Sequence, residues 1–254
     1  MRVEPGAAVD LSEIDPSSTD GAPGDKAATR KAEKELRGRL QDLQVRLRAE
    51  GLRSVLLALQ GMDCAGKDGV IKHVFRGVDP QGVHLRAFKA PSEDELAHDF
   101  LWRIHGALPP AGTIGIFNRS HYEDVLHKRV RERADEDVWE PRIRSIVDFE
   151  RHLTSCGTTV LKVFLHISKD EQQERFESRL RKVSKRWKYN PHDLKDRELW
   201  DAFQAAYGDT IARTSTADEP WYIVPANHKW YRDWLVLTVL IDALERIDPQ
   251  YPAE

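Results

Sequence analysis

The residues best suited to chemistry lie in the stretch GMDCAGKDG, from Gly61 to Gly69. Two glycines separated by four residues and followed by Lys67 form the pattern G-x-x-x-x-G-K of a phosphate-binding loop. The glycines let backbone N–H groups approach phosphate oxygens, because no Cβ stands in the way. The lysine adds a full positive charge, and a helix that begins after the loop adds the positive end of its dipole. The residues expected to contact phosphate here are Gly61, Met62, Cys64, Ala65, Gly66, Lys67 and Asp68.

Two acidic residues, Asp63 and Asp68, stand inside this loop. Each carboxylate would repel a phosphate charge by about 4 kcal/mol at about 4 Å and an effective dielectric of about 20. They would weaken anion binding unless a cation lies between them and the phosphates. We therefore expect both to bind Mg²⁺, which accepts carboxylate and phosphate oxygens together. For Asp68 there is an alternative, namely that it only complements the positive end of the helix.

A second pair of candidate residues, Asn118 and Arg119, directly follows an apolar run from Thr113 to Phe117. The planar guanidinium of arginine suits phosphate and keeps its charge at neutral pH, so Arg119 is expected to hold the transferred group. Asn118 could bind water of the magnesium shell or the nucleotide. It could equally serve only as a hydrogen-bonding residue at the end of a strand.

A third candidate is the basic segment from Arg175 to Lys188, in which seven of fourteen residues are basic and only Glu177 is acidic. Most charge runs are solvated helix faces, but pairing within the helix cannot balance this one. Arginines on a closing segment neutralise charge in phosphoryl transfer and exclude water. We predict a lid over about residues 175–196, with Arg175, Arg179, Lys182 and Arg186 on one helix face.

The elements that must position these residues can be read from the hydrophobic pattern. Apolar runs begin near residues 55, 83, 113, 158 and 221 and are separated by helical segments. The first run does not alternate with polar residues, as in a strand that is buried on both faces. The pattern predicts an α/β fold, a three-layer α/β/α sandwich around a parallel sheet, in which ligands bind at the carboxyl ends of the strands.

Helix boundaries follow from capping patterns. A helix is expected over residues 26–50, and Ser92 opens a capping box for a helix that continues to about residue 105. Ser168 opens a second capping box, and Asn227 is expected to cap the final helix. Residues 1–25 are rich in Pro, Gly, Ser and Asp, so we expect a flexible leader, followed by a single domain over residues 26–254.

Composition limits the possible surroundings and partners. The chain has 254 residues, 40% of them hydrophobic and 32% charged, and a net charge of −3, which argues against general nucleic-acid binding. Its longest apolar run is far below the roughly 18 residues that a membrane helix needs. With only two cysteines, a disulfide framework is not indicated and a reducing cytoplasm is expected.

With these pieces placed, the sequence resembles the polyphosphate kinase type 2 family from roughly residue 30 to residue 247. The motifs that carry the resemblance are GMDCAGKDG (61–69), FKAPSEDELAHDFLWR (88–103), GIFNRSHYEDVL (115–126), the FE and HL of FERHL (149–153), SKDEQQERFESRL (168–180) and WYIVPANHKWYR (221–232). Asp68 and Asn118 resemble the short single-domain class III branch, whose members phosphorylate both AMP and ADP.

The resemblance implies a P-loop kinase fold related to thymidylate kinase, with a helical lid and dependence on Mg²⁺. It implies inorganic polyphosphate as the donor, AMP and ADP as acceptors, ADP and ATP as products, and a homo-oligomer (a dimer or tetramer). By the same resemblance, the catalytic residues are Asp63, Lys67, Asn118 and Arg119, the lid arginines are Arg175 and Arg179, and a polyphosphate channel is lined by Arg129, Arg133 and Lys185.

Two other functions remain open from the residues alone. A nucleotide kinase that uses ATP as its donor shares the loop and the lid. A non-catalytic nucleotide-binding sensor would also bind through the loop, but would show no turnover with AMP, polyphosphate and Mg²⁺.

Overall fold

A computed structural model of the chain describes residues 1–187 and 191–253, apart from the side chains of residues 191–194. Within these residues five parallel strands form one sheet in the order β2-β3-β1-β4-β5. The strands are β1 Ser54–Gln60, β2 Val83–Ala87, β3 Ile114–Asn118, β4 Thr158–His166 and β5 Trp221–Pro225. The predicted α/β class and parallel sheet are confirmed.

Strand β1 lies at the centre of the sheet and is buried at every position, as its unbroken apolar sequence predicts. Leu59 pairs with Asn118 of β3 on one side and with Val163 of β4 on the other. After β1 the chain builds β2 and β3 on one side and then crosses to build β4 and β5 on the other. The carboxyl end of β1 is therefore a topological switch point, where a crevice for ligands forms in such sheets.

Helices cover both faces of the sheet. Helices α1, α2 and α11 pack together on one face, and α5, α6 and α10 pack on the other. The helices in the described residues are α1 Lys26–Glu50, α2 Lys67–Val74, α3 Glu93–Leu96, α4 Trp102–His105, α5 Tyr122–Leu126, α6 Glu136–Ser155, α7 Lys169–Arg181, α8 Val183–Arg186, α9 Pro191–Glu198, α10 Trp200–Thr214 and α11 Lys229–Ile247. A π-helical turn, His127–Arg131, continues α5.

Residues 1–25, expected to form a flexible leader, pack against the domain instead. The Val3 N–H donates to the Trp221 carbonyl (2.8 Å), so the N-terminal segment runs beside β5. Val3 and Leu11 are each only 3% exposed. The hydroxyl of Tyr231 donates to the Asp20 carbonyl (2.6 Å). The expectation of a flexible leader is therefore wrong. It rested on the lack of a periodic apolar pattern, whereas single apolar residues anchor this segment.

The capping box at Ser92 is confirmed, since the Ser92 hydroxyl and the Glu95 carboxylate bond reciprocally to backbone N–H groups. The predicted helix over residues 92–105 is nevertheless wrong in its length, because it is divided into α3 and α4. Asp99 lies between them, and its carboxylate accepts from the Leu101 N–H (2.9 Å). Such a local side-chain bond offers the backbone an alternative to continuing the helix.

The second capping box is only half formed. The Ser168 hydroxyl accepts from the Glu171 N–H (3.1 Å), but the Glu171 carboxylate turns to Arg175. The Ser168 N–H donates to the side chain of Asn227 (3.0 Å). Asn227 therefore holds the β4–α7 turn and does not cap α11, whose N-cap residue is His228.

None of the helices in the described residues combines the length and the apolar character that a membrane span requires.

Candidate active site

The phosphate loop connects the carboxyl end of β1 to the first turn of α2. Gly61 and Gly66 have φ angles of 142° and 112°, which residues with a side chain rarely adopt. A Cβ on Gly61 would also lie 2.7 Å from the Leu165 carbonyl oxygen, so the loop passes close to β4. Met62 and Ala65 are buried beneath the turn. Cys64 is buried too and has a positive φ of 64°.

Lys67 folds back over this turn. Its Nζ donates to the carbonyl oxygens of Gly61 (2.5 Å) and Met62 (3.3 Å), and the residue is only 8% exposed. Burial lowers the pKa of Lys67, and the nearby Arg119 lowers it further, whereas Asp63 and neighbouring acids oppose the shift. The lysine predicted for the site therefore lies against the loop, and its amino group is held by loop carbonyls that a phosphate group can replace.

Arg119 reaches the loop from the end of β3, as predicted. Its Nη2 donates to Asp63 Oδ1 (2.5 Å) and its Nη1 to Glu123 Oε2 (3.0 Å). These carboxylates raise the pKa of Arg119, Glu123 most strongly, while burial opposes them. Glu123 is a site residue that the sequence analysis missed. Its spacing of four residues from Arg119, at the start of a helix, was the available signal.

Asn118 links the end of β3 to the start of α2. Its side-chain amide donates to Asp68 Oδ1 (2.8 Å), and Asp68 lies in the first turn of α2. The structure thus brings Asp63, Lys67, Asn118 and Arg119 together at the carboxyl edge of β1 and β3, where the fold predicted a ligand crevice.

A cleft opens beside Arg119, between the loop and the helices on the α5–α10 face. One wall carries Arg131, whose guanidinium pairs with Asp196 of α9. Burial raises the pKa of Asp196, and Arg131 opposes that shift. The residues lining the cleft are Gly61, Met62, Asp63, Arg119, Glu123, Leu126, His127, Arg131, Asp196, Phe203 and Tyr207. The wall beyond the loop was not predicted, because its residues come from segments far apart in sequence.

A buried charged cluster supports the residues that follow Arg119. Glu150 accepts hydrogen bonds from His121 Nε2 (3.0 Å), the Tyr122 hydroxyl (2.8 Å) and Lys162 Nζ (2.6 Å). Burial alone would raise the pKa of Glu150, but Lys162 and His121 more than offset it and lower the pKa. The cluster was missed, although a lysine within the apolar strand β4 was a visible signal.

Arg175 lies behind the loop rather than over it. Its side chain is 8% exposed, and burial lowers its pKa, with Glu171 opposing that shift. The structure corrects its assignment as a lid arginine, because its guanidinium is used to hold backbone. The carbonyl oxygens that accept from it are those of Cys64 (3.0 Å), Ala65 (2.7 Å), Ala226 (2.5 Å) and Asn227 (3.1 Å).

The rest of the predicted lid is not one helix. Lys182 has extended backbone (φ −93°, ψ 110°) and separates α7 from α8, so the predicted basic face is interrupted. Arg179 stacks near Phe176, with 5.7 Å from its guanidinium carbon to the ring centroid. Lys185 is exposed on α8. Residues 188–190 of the predicted lid lie outside the described residues.

The other residues assigned to a polyphosphate channel lie within the π-helical turn (Arg129) and just after it (Arg133). Arg129 pairs with Asp209, and its guanidinium carbon lies 4.3 Å from the centroid of the Trp139 ring. Arg133 is exposed and has a positive φ of 51°. Neither lines the cleft beside Arg119 in the described part of the chain, and their contact with polyphosphate stays a prediction.

Comparison with known proteins places this geometry in a family. Residues 24–252 match the family described as Polyphosphate kinase 2 (PPK2). The chain is 50% identical over 251 residues to an AMP/ADP-polyphosphate phosphotransferase of Meiothermus ruber, covering 99% of this chain and 94% of that protein. It is 45% identical over 226 residues to an ADP-polyphosphate phosphotransferase of Rhodopseudomonas palustris, covering 84% and 78%.

A solved structure gives the same result at the level of the fold. The crystal structure of Polyphosphate Kinase 2 from Arthrobacter aurescens TC1 matches with a TM-score of 0.95 and 47% sequence identity, covering 100% of this chain and 90% of that one. The match over nearly the whole chain includes the loop, the strand ends and the helices that form the cleft. The chain therefore belongs to the polyphosphate kinase 2 family.

Proposed function

We propose that this protein transfers the terminal phosphoryl group of inorganic polyphosphate to AMP and ADP, giving ADP and ATP, in a reversible reaction. The observation that carries the proposal is the convergence of the phosphate loop with Asn118 and Arg119, each of which bonds one of the two loop carboxylates at the carboxyl edge of β1 and β3. The substrates follow from the names of relatives, one of them an AMP/ADP-polyphosphate phosphotransferase that is 50% identical.

In this proposal the loop and its lysine bind the phosphates. Backbone N–H groups between Gly61 and Gly66 face the anion, and Lys67 exchanges its carbonyl partners for phosphate oxygens. Arg119 holds the group in transfer, oriented by Asp63 and Glu123. The phosphoryl group passes in line from donor to acceptor without a covalent enzyme intermediate, so positioning and charge stabilisation supply the catalysis.

Magnesium is part of the proposal, and the donor set fits it. Asp63 and Asp68 supply carboxylate oxygens, which Mg²⁺ prefers, on either side of Lys67 along the loop. No group of three or more His, Cys, Asp or Glu side chains suited to a metal was found among the described residues. Mg²⁺ typically uses one or two carboxylates together with substrate phosphates and water. When bound, the ion would offset charge on the phosphates, and Asp63 and Asp68 would hold it.

Polyphosphate is proposed to extend from the loop along the exposed basic residues. Arg133 and Lys185 are exposed, and Arg129 could contribute by exchanging Asp209 for phosphate. Arg179, on α7, is proposed to close over the bound polyphosphate. Replacing Arg133 or Lys185 by alanine should raise KM for long polyphosphate more than KM for tripolyphosphate. If a substitution changed KM equally for both lengths, the replaced residue would not lie along the bound polyphosphate.

The proposed function is tested with the purified protein, Mg²⁺ and long-chain polyphosphate, with AMP and ADP offered separately. We expect ADP from AMP and ATP from ADP, followed by ³¹P NMR, and no transfer when a chelator removes the divalent cation. A parallel reaction replaces polyphosphate by ATP as donor to AMP. Transfer from ATP without transfer from polyphosphate would indicate an ATP-dependent nucleotide kinase, and binding without any turnover would indicate a sensor.

Two further parts of the proposal concern the setting of the reaction. We infer a homo-oligomer, a dimer or a tetramer, which light scattering on the purified 29.2 kDa chain will test. We also infer a cytoplasmic location, which fits two cysteines that form no disulfide, one of them buried and one exposed. Fractionation of cells expressing the protein tests the location.

A further inference from the structure

Arg232 of α11 lies so close to the phosphate loop that a Cβ at Gly66 or Gly69 would displace its guanidinium. The residue is 2% exposed, and its guanidinium lies against the start of α2. A Cβ added to Gly66 would lie 2.0 Å from Nη1, and one added to Gly69 would lie 2.9 Å from Nη2. The glycines at these two positions therefore make room for an arginine as well as for phosphate.

The guanidinium is held in this place by its neighbour in sequence. Asp233 Oδ1 accepts from Arg232 Nε (2.8 Å) and Nη2 (2.5 Å). The other oxygen of Asp233 lies 2.9 Å from Nδ1 of His73, in the last turn of α2. The Arg232–Asp233 pair therefore contacts both ends of α2, the helix that begins with Lys67.

The position is electrostatically unusual for a cation. The start of a helix carries the positive end of its dipole, which disfavours a cation nearby. Arg175 adds a second guanidinium, with Nη1 3.5 Å from the Cβ position of Gly66. Asp233 accepts from Arg232 and also contacts His73, and Glu171 accepts from Nε of Arg175, so each guanidinium has one carboxylate partner beside it. An anion bound in the loop would relieve the repulsion.

We propose that Arg232 is a positioning residue for phosphate binding, which fixes the turn from Gly66 to Gly69 from behind and adds positive potential to the anion site. The inference rests on the proposed function, because it assigns Arg232 to the phosphate-binding step of that reaction. It predicts that Arg232 acts on affinity for phosphate chains more than on turnover.

Three variants separate charge, position and stability. Arg232→Met removes the charge, and Arg232→Lys keeps it without the planar fork. Gly69→Ala changes no charge but fills the space 2.9 Å from Nη2. On helix propensity alone, Gly→Ala should stabilise α2. The matched control is Gly38→Ala in α1, where a Cβ would meet nothing within 4 Å.

The experiment measures Kd for sodium tripolyphosphate with Mg²⁺ by calorimetry, without nucleotide, beside kcat and KM in the transfer assay. We expect Kd and KM to rise about tenfold in Arg232→Met and at least threefold in Gly69→Ala, with kcat lowered less than threefold. Arg232→Lys should lie between wild type and Arg232→Met, and Gly38→Ala should stay within twofold of wild type. A residue that only stabilised the fold would lower Tm and leave Kd unchanged.

The outcomes that overturn the inference are distinct from those that overturn the function. Kd within twofold of wild type in folded Arg232→Met and Gly69→Ala overturns the inference, and if the methionine variant does not fold, Gly69→Ala decides. A lysine variant as weak as the methionine variant overturns the charge contribution. A wild-type protein that binds tripolyphosphate without transferring phosphate contradicts only the proposed function. Wild-type protein that does not bind tripolyphosphate overturns both.

Discussion

Replacing Lys162 by methionine should destabilise the protein by leaving a carboxylate uncompensated in the core. Lys162 is 0% exposed, and its Nζ donates to Glu150 Oε2 (2.6 Å) and to the Thr214 carbonyl (2.6 Å). Glu150, 1% exposed, would keep only the His121 and Tyr122 donors. Removing one partner of a buried pair costs about 3–5 kcal/mol.

This cost can be expressed as a change in melting temperature. The unfolding entropy is about 2.1 cal/mol/K per residue, so for a chain of 254 residues a loss of about 3–5 kcal/mol lowers Tm by about 6–9 °C. The effect is large enough to measure by calorimetry or circular dichroism at pH 7. Lys72→Met, at an exposed position of α2, is the matched control and should change Tm by less than about 1 °C.

A double variant tests the reasoning directly. In Lys162→Met with Glu150→Gln both charges are absent, while the amide oxygen of glutamine can still accept from the Tyr122 hydroxyl. We expect the double variant to recover at least half of the lost stability, because the uncompensated charge is gone. The reasoning is refuted if Lys162→Met melts within 2 °C of wild type, or if the double variant is less stable than the single one.

The same cluster predicts how acid affects stability. The pKa of Glu150 is lower in the folded protein than its ordinary value of 4.5, a net effect of Lys162 and His121 against burial. A group with a lowered folded pKa stabilises the fold above its unfolded pKa, and this contribution is lost as pH falls through the folded pKa. The stability difference between wild type and Glu150→Gln should therefore shrink as the pH is lowered below about 4.5.

Three further predictions concern the site and the N-terminal segment. Lys67→Ala and Arg119→Ala should each lower kcat by about 10²–10³-fold and raise KM less, with Lys72→Ala as the control; unchanged turnover in both would remove the assignment. Asp63→Asn should lower turnover with Mg²⁺ at least tenfold. With a chelator present the variant should bind tripolyphosphate more tightly than wild type, because Asp63 no longer competes with phosphate for Arg119; weaker binding under these conditions would contradict that competition. Leu11→Ala should cost about 2–5 kcal/mol in thermal unfolding, whereas a freely flexible leader would show no change.

The parts of the fold that could be predicted were those specified by local sequence. The phosphate loop was recognisable because its glycines and lysine act within a few residues, and β1 because its apolar run is short and unbroken. The order of the strands could not be read in the same way, since pairing depends on contacts between distant segments. The resemblance to a family, rather than periodicity, supplied the P-loop kinase fold.

The errors in the site have a common physical origin. Arg175 belongs to a basic run, and nothing local distinguishes an arginine that covers substrate from one that bonds to loop carbonyls 110 residues earlier in the chain. Lys162 stood out within an apolar strand, but its partner Glu150 could not be named, because only the packing of α6 on β4 brings the two to 2.6 Å. The N-terminal segment was misjudged because Val3 and Leu11 are anchored singly, without a helical or strand period.

Among the described residues, the two cations at the phosphate loop already have partners within the protein. Arg119 is paired with Asp63 and Glu123, and Lys67 with two loop carbonyls. A phosphate group must therefore compete with these contacts before it gains from the charges. A divalent cation taken up by Asp63 would remove one competitor, because that carboxylate would no longer need the guanidinium of Arg119. If the proposed metal binds Asp63, it also makes Arg119 available to phosphate, which is why Asp63→Asn should separate binding from turnover.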